Sequence, residues 1–431
     1  MRAQTLELPL TFGPARGQAG PKSFSEELIA FRRFGQATRI TTTRFAGPGG
    51  ESQEVPTFVN EFWTAMQRQA NSLHEISYRA CFKPQLPRFF IERLTHPGEV
   101  VYDPFMGRGT TVLEGALLGR VPFGCDVNPL SVVLTRPRLR PPFLEEVAER
   151  LRQIDFGSCD DFPEDLLVFF HPDTLRQIAA LKKYLLGRRE SKELDAVDEW
   201  ICLVALNRLT GHSKGFFSVY TLPPNQAVSV KSQQKINTKR KQTPPRRDVP
   251  VLILKKSRQL LRDCDGAARQ TLEKVAGQSR LLTEPAGRTP AIPDDSVSLV
   301  VTSPPFLDVV DYATDNWLRC WFVGLEAQSV KLTTPRKLED WQTAMTEVFR
   351  ELRRGLKGGG HVAFEVGEVH AGKTKLEEAV LPCGVAAGLE PVLVLINDQK
   401  FTKTANCWGV DNMAKGTNTN RIVLLRKPEG A

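Results

Sequence analysis

The chain has 431 residues, of which 41% are hydrophobic and 25% charged, with a formal net charge of +9. This suits a globular protein with a full core and room for two structural units, and its basic excess suits a polyanionic partner. Eight scattered cysteines without a Cys-x-x-Cys spacing argue against zinc fingers and a disulfide framework.

The amino terminus, "MRAQTLELPLTFGPARGQ", carries acid and glycine where a signal peptide needs an apolar run, and no later stretch has the length of a membrane span. The expectation is a soluble, cytoplasmic protein. Residues 1 to 55 mix Thr, Gly, Pro and Arg without steady periodicity and read as irregular. From Pro84 to Leu94, Leu86, Phe90 and Leu94 recur every four residues, the mark of a helix face, and His96-Pro97-Gly98 ends it. "EVVYD" then reads as a short buried strand closing on Asp103, followed by a glycine loop, a helix from "TTVLEGALLG", and a second strand closing on Asp126. Strand, glycine loop, helix and acid-terminated strand make one βαβ unit.

Between residues 140 and 280 helical stretches dominate, "HPDTLRQIAALKKYLLG" and "ELDAVDEWICLVALNRL" among them, and a basic, proline-punctuated segment follows. This region reads as an inserted module, separating a first half of the sheet domain (56 to 139) from a second (281 to 431). Sheet-type pattern returns with "SRLLTEP" and "SVSLVVTSPPF". Trp341, Met345, Val348, Leu352 and Leu356 then mark an amphipathic helix that Gly358 to Gly360 should end. "HVAFEV", "EPVLVLI" and "RIVLLRK" supply the last strands. The fold class expected is α/β, a Rossmann-like sheet with helices on both faces plus a helical, basic insert.

Two stretches carry chemistry. "DPFMGRGTT", residues 103 to 111, sits where an α/β sheet binds a nucleotide-like ligand. It lacks the lysine of a P-loop and the G-x-G-x-x-G spacing of dinucleotide folds, so an adenosine without phosphates fits better. Asp126 stands where an acid accepts ribose hydroxyls. The second stretch is "VVTSPPF": two prolines end the strand and make a rigid corner at its carboxyl end.

Together, "CFKPQLPRFFIERLTHPGEVVYDPFMGRGTTVLEGALLGRVPFGCDVNPLS", "VVTSPPF" and "RELRRGLKGGGHVAFEV" resemble the S-adenosylmethionine-dependent amino-methyltransferases of DNA, over residues 77 to 130 and 290 to 367. The resemblance implies S-adenosylmethionine as cofactor, lined by Lys83, Pro84, Leu86, Asp103, Pro104, Phe105, Gly107, Gly109, Thr110, Thr111, Asp126 and Asn128. Arg108 stands where serine is common, and "EPAGRTP" replaces the Gly-Asp-Ala acid that often precedes the catalytic strand, leaving Glu284 for the adenine amine. It further implies a catalytic corner of Ser303, Pro304, Pro305 and Phe306 acting on a flipped base, with Asp308, Asp311 and Tyr312 in the base pocket. Ser-Pro-Pro-Phe mostly accompanies cytosine N4 in that family and Asp- or Asn-Pro-Pro-Tyr adenine N6. An RNA amine methyltransferase and a non-catalytic nucleic-acid binder are the rival readings.

Double-stranded DNA is the partner implied, a restriction-modification pair with a companion endonuclease is one setting, and either a monomer or a dimer is compatible. From Lys231 to Arg258, ten Lys or Arg positions face the single acid Asp248. Lys231, Lys235, Lys239, Arg240, Lys241, Arg246 and Arg247 are the candidate phosphate contacts, and Gln233, Gln234, Asn237 and Gln242 the candidate base-edge contacts. Phe216 and Phe217 could equally stack on a displaced strand or pack in the core. The histidines form no ligand pattern, and no metal is expected.

Overall fold

The computed structural model describes residues 23–64, 70–78, 81–221, 227–305, 312–327, 337–369, 374–399 and 419–430. After a short helix α1 (Phe24–Ala30), strands β1 (Arg39–Ala46) and β2 (Ser52–Asn60) form an antiparallel hairpin. This corrects the expectation of irregular structure up to residue 55: alternating Thr43 and Phe45 turn inward while Arg44 faces solvent, a period of two within a mostly polar segment. Helix α2 (Gln85–Leu94) leads into β3 (Val100–Asp103), α3 (Thr110–Leu117), β4 (Val121–Cys125) and α4 (Leu130–Leu139). Helices α5 (Leu144–Gln153), α6 (Pro172–Glu190), α7 (Ala196–Leu206), α8 (Val230–Arg240), α9 (Val249–Leu260) and α10 (Gly266–Ala276) follow. The chain returns to the sheet with β5 (Arg280–Leu282) and β6 (Val297–Thr302), then α11 (Tyr312–Val323), α12 (Leu338–Gly355) and β7 (Leu356–Val366). A small hairpin of β8 (Glu368–Val369) and β9 (Thr374–Lys375), helix α13 (Leu376–Ala386), and the strands β10 (Glu390–Asp398) and β11 (Thr419–Arg426) complete it.

Nine of these strands form one sheet in the order β1-β2-β10-β11-β7-β6-β3-β4-β5. The run from β5 to β7 is parallel throughout, and β11 enters antiparallel to both of its neighbours. The α/β expectation therefore holds. The chain winds outward from β3 to β4 and β5, then crosses back to β6, so β3 and β6 lie side by side while their connections depart in opposite directions. In open α/β sheets that reversal opens a crevice at the carboxyl ends of the strands.

Strand alternation sorts the core. Val101, Leu299 and Val301 face α2 with Leu86 and Phe90, whereas Tyr102, Val300 and Phe364 face α12 with Trp341 and Phe349. A third core runs from Val112 and Leu113 of α3 through Leu134 of α4 to Trp200 and Ile253, so the helices after residue 140 share packing with the sheet domain. One expected boundary moves. Helix α12 ends at Gly355, and Gly358 to Gly360 lie inside β7, where they bulge: Val297 pairs with Leu356 but Leu299 with His361.

Candidate active site

The carboxyl ends of β3 and β6 are stapled together by side chains. Thr302 Oγ1 donates to Asp103 Oδ1 at 2.6 Å, and Thr111 Oγ1 donates to the Val301 carbonyl at 3.0 Å. All four residues are buried. Burial raises the Asp103 carboxyl to about 7, and the Thr302 hydroxyl and the Phe105 amide act against that rise. Asp103 and Thr111, expected to line a ligand, thus spend these groups on the seam between the glycine loop and the corner.

Past the seam the loop wraps Asp126. Phe105 donates its amide to Asp103 Oδ1 at 3.1 Å, Met106 to the Cys125 carbonyl at 2.9 Å, and Gly107 to Asp126 Oδ2 at 2.9 Å. The other oxygen, Oδ1, accepts from Asn128 N–H at 2.8 Å. Each carboxylate oxygen keeps a second lone pair, so the geometry that fixes Asp126 leaves it able to accept two further bonds. Burial raises its carboxyl above the ordinary range, opposed by the Asn128 and Gly107 amides. The two glycines serve differently. Gly107 has φ +49, and a Cβ there would make only ordinary contact, 3.8 Å from the Tyr78 ring. Gly109 has φ +73, and a Cβ there would lie 2.3 Å from Thr135 Oγ1, so it is required by packing beneath the loop rather than by a ligand above it.

Beyond Cys125, whose Sγ lies 3.1 Å from the Glu284 carbonyl, Glu284 holds a buried Oε2 with no hydrogen-bond partner. A carboxylate oxygen buried without a partner among the described residues is a costly arrangement that a ligand amine would relieve. Leu86 is a core residue under the sheet, and Pro84 is buried at the start of α2. Lys83, whose ammonium pKa burial lowers, and Pro84 edge a cavity of about 890 Å³ shared with His74, Tyr78 and Arg108. Pro104 and Thr110 belong to the loop and to the first turn of α3.

At the corner, Ser303 is half-buried and Pro304 buried. The Pro305 carbonyl accepts the indole N–H of Trp341, buried on α12, at 3.2 Å. Phe306, Asp308 and Asp311 lie outside the described residues, and so does the side chain of Tyr312, the first residue of α11. Sequence reasoning missed Thr302, Trp341 and Arg108 as positioning groups. The Arg108 guanidinium is buried and donates to the Ile76 carbonyl at 2.8 Å, tying the loop to the segment before α2. It also missed Glu365, one residue past the register partner of Thr302 on β7, whose carboxyl burial raises to about 7. A charged residue inside an apolar strand run was the available signal for it.

In the basic region, Lys231, Lys235, Lys239 and Lys241 are exposed. Arg240 lies over the Tyr220 ring at 3.7 Å and Arg246 pairs with Asp173 at 3.3 Å. The Arg247 backbone is held by Thr174. Gln233, Asn237 and Gln242, expected as base-edge contacts, instead bond one another and the Tyr220 and Val168 carbonyls. Phe216 and Phe217 are buried, which leaves neither ring for stacking on a strand. Among the described residues no group of three or more His, Cys, Asp or Glu could hold a metal, and no helix is long and apolar enough to cross a membrane.

Comparison with known proteins adds the following. A family model described as DNA methylase matches residues 35–133. The chain is 22% identical over 349 residues to the type II methyltransferase M.BsoBI of Geobacillus stearothermophilus, an alignment covering 72% of this chain and 64% of that protein. It is 33% identical over 89 residues to the type II methyltransferase M.MjaII of Methanocaldococcus jannaschii, covering 21% of this chain and 17% of that one. The chain thus spans less than two thirds of the length of these relatives. Among solved structures, geranyl diphosphate C-methyltransferase from Streptomyces coelicolor A3(2) aligns over 80% of this chain and 77% of its own, at 8% identity and a TM-score of 0.32. The segment carrying the glycine loop is therefore similar in sequence to DNA methylases.

Proposed function

We propose that the chain is an S-adenosylmethionine-dependent DNA methyltransferase that modifies the N4 amine of cytosine in duplex DNA. The observation that carries this reading is the seam: Thr302 on Asp103 and Thr111 on Val301 bring the glycine loop and the Ser-Pro-Pro corner to one crevice. The DNA methylase match over residues 35–133 supports the DNA-methyltransferase part of this reading, and the Ser-Pro-Pro-Phe type of corner favours cytosine.

The residues fit the cofactor. Asp126 has lone pairs for two ribose hydroxyls, and the unpartnered Glu284 Oε2 suits an adenine amine. When bound, S-adenosylmethionine supplies an electrophilic sulfonium methyl. The work of the protein is at the target amine, whose lone pair is delocalised into the base ring. Ser303 Oγ and the Pro304 carbonyl accept its two hydrogens, which localises that pair. The paired prolines and the Trp341 bond to Pro305 hold both acceptors still, and positioning of this kind is worth about 7 to 11 kcal/mol at its best. The family resemblance assigns Phe306 to stacking on the flipped base and Asp308, Asp311 and Tyr312 to the base pocket, and residues 140 to 280 would grip the duplex. Adenine N6 is the second reading, since the same acceptors would serve its amine.

Expression in a methylation-free host, followed by sequencing that separates modified cytosine from modified adenine, tests base and site together. Ser303→Ala should keep cofactor affinity and lower methylation about 10²-fold, the usual effect of removing one preorganised partner. Normal turnover by that variant would refute the role of Ser303.

A further inference from the structure

We infer that α8 is the helix that enters a groove of the duplex, with Lys231, Lys235 and Lys239 on phosphates and Gln234 and Thr238 reading base edges. This rests on the DNA-methyltransferase reading for the identity of the polyanion, and on geometry for everything else. Helix α8 contains no acid and no apolar stripe, and its only fully buried residue is Gln233. Apart from Val230 in its first turn, which packs against a core cluster, little hydrophobic packing holds a helix this polar. Amides hold this one instead. Gln233 Nε2 donates to the Tyr220 carbonyl at 3.1 Å, Asn237 Nδ2 to the Val168 carbonyl at 2.7 Å, and Gln242 Nε2 to Tyr220 again at 2.9 Å.

That anchored underside, with Arg240 stacked on Tyr220, fixes which side faces out. At 3.6 residues per turn, Lys231, Gln234, Lys235, Thr238 and Lys239 share the opposite face, and all five are exposed. Three cations about 12 Å from end to end, alternating with Gln234 and with Thr238, whose hydroxyl donates to the Gln234 carbonyl at 3.0 Å and keeps its lone pairs to accept, match a phosphate backbone flanking base edges.

The helix is also tied to the proposed site. The Ala227 N–H donates to the Asp315 carbonyl at 3.4 Å, and the Trp317 indole N–H donates to the Ala227 carbonyl at 3.2 Å. Asp315 and Trp317 lie on α11, the helix after the Ser-Pro-Pro corner, and Ala227 is three residues before α8. The start of α8 is therefore tied to the helix that follows the Ser-Pro-Pro corner in the chain.

The test uses the full chain, a set of fluorescent duplexes of one length and varied sequence, and anisotropy across a salt series. The Lys231→Gln/Lys235→Gln/Lys239→Gln protein should lower the slope of log affinity against log salt by about 0.9 per lysine, with affinity falling uniformly across sequences. Gln234→Ala should leave the slope intact and lose roughly 5- to 150-fold in discrimination at one base position. An unchanged slope in the triple variant overturns the inference, as does equal or tighter binding to single-stranded DNA or to RNA of the same length. Binding needs no methyl transfer, which keeps the two readings separable. A wild-type chain that binds duplex through these lysines but never methylates it overturns the proposed activity alone. One that methylates while the triple variant keeps its slope overturns the role of α8 alone.

Discussion

Thr302→Val tests the seam most directly, because it exchanges a hydroxyl for a methyl of the same shape between two buried residues. The bond it removes is 2.6 Å long, with Thr302 fully buried and Asp103 1% exposed. A hydrogen bond to an ionised group is worth about 1.5–3 kcal/mol and one between neutral groups about 0.5–1.5 kcal/mol. Burial raises the Asp103 carboxyl to about 7, so both regimes are accessible. The stability its proton brings is complete below the ordinary carboxylate range and is lost as pH rises through about 7. Removing the Thr302 donor weakens the ionised form further, so the variant should lose about 1 kcal/mol at pH 5.5 and ~2–3 kcal/mol at pH 8.5. Native-state hydrogen exchange of the peptide covering residues 297 to 302, corrected for intrinsic rates, reads this as roughly 5-fold faster exchange at the lower pH and 30-fold or more at the higher. Thr302→Ser, which keeps the hydroxyl, should stay within about 1 kcal/mol of wild type. A cost equal at both pH values, or below about 0.5 kcal/mol at both, would refute the coupling between the two strand ends.

Three further outcomes are expected. Glu284→Gln should weaken cofactor binding by about 10-fold in calorimetry, because a neutral amide oxygen is a weaker acceptor for an amine than a carboxylate; unchanged affinity would remove Glu284 from the site. Gly109→Ala should lower stability by roughly 2–5 kcal/mol, combining a positive φ with a Cβ 2.3 Å from Thr135 Oγ1, and Thr135→Ala should restore only the packing part in thermal unfolding. Trp341→Phe should cut kcat up to about 10²-fold while cofactor affinity stays constant, since it frees the Pro305 carbonyl without touching the loop; a parallel loss of cofactor affinity would count against that separation.

Local pattern determined a good deal of this protein. Short apolar runs, two of them closed by an acid, located β3, β4 and β6, fourfold spacing located α2, and the double proline marked the corner, because each signal acts between residues close in sequence. The β1–β2 hairpin escaped because one polar face hides its alternation, and Gly358 to Gly360 misled because a glycine run ends a helix or bulges a strand with equal ease. Tertiary structure alone decided that Asp103 and Thr302, 199 residues apart, share a hydrogen bond, since strand order in a sheet is set by long-range pairing that no local pattern records. It alone decided which glutamines of α8 face the protein and which face outward. On a helix polar all round, the choice of face belongs to the partner carbonyls of Tyr220 and Val168, and sequence periodicity has no apolar stripe from which to read it.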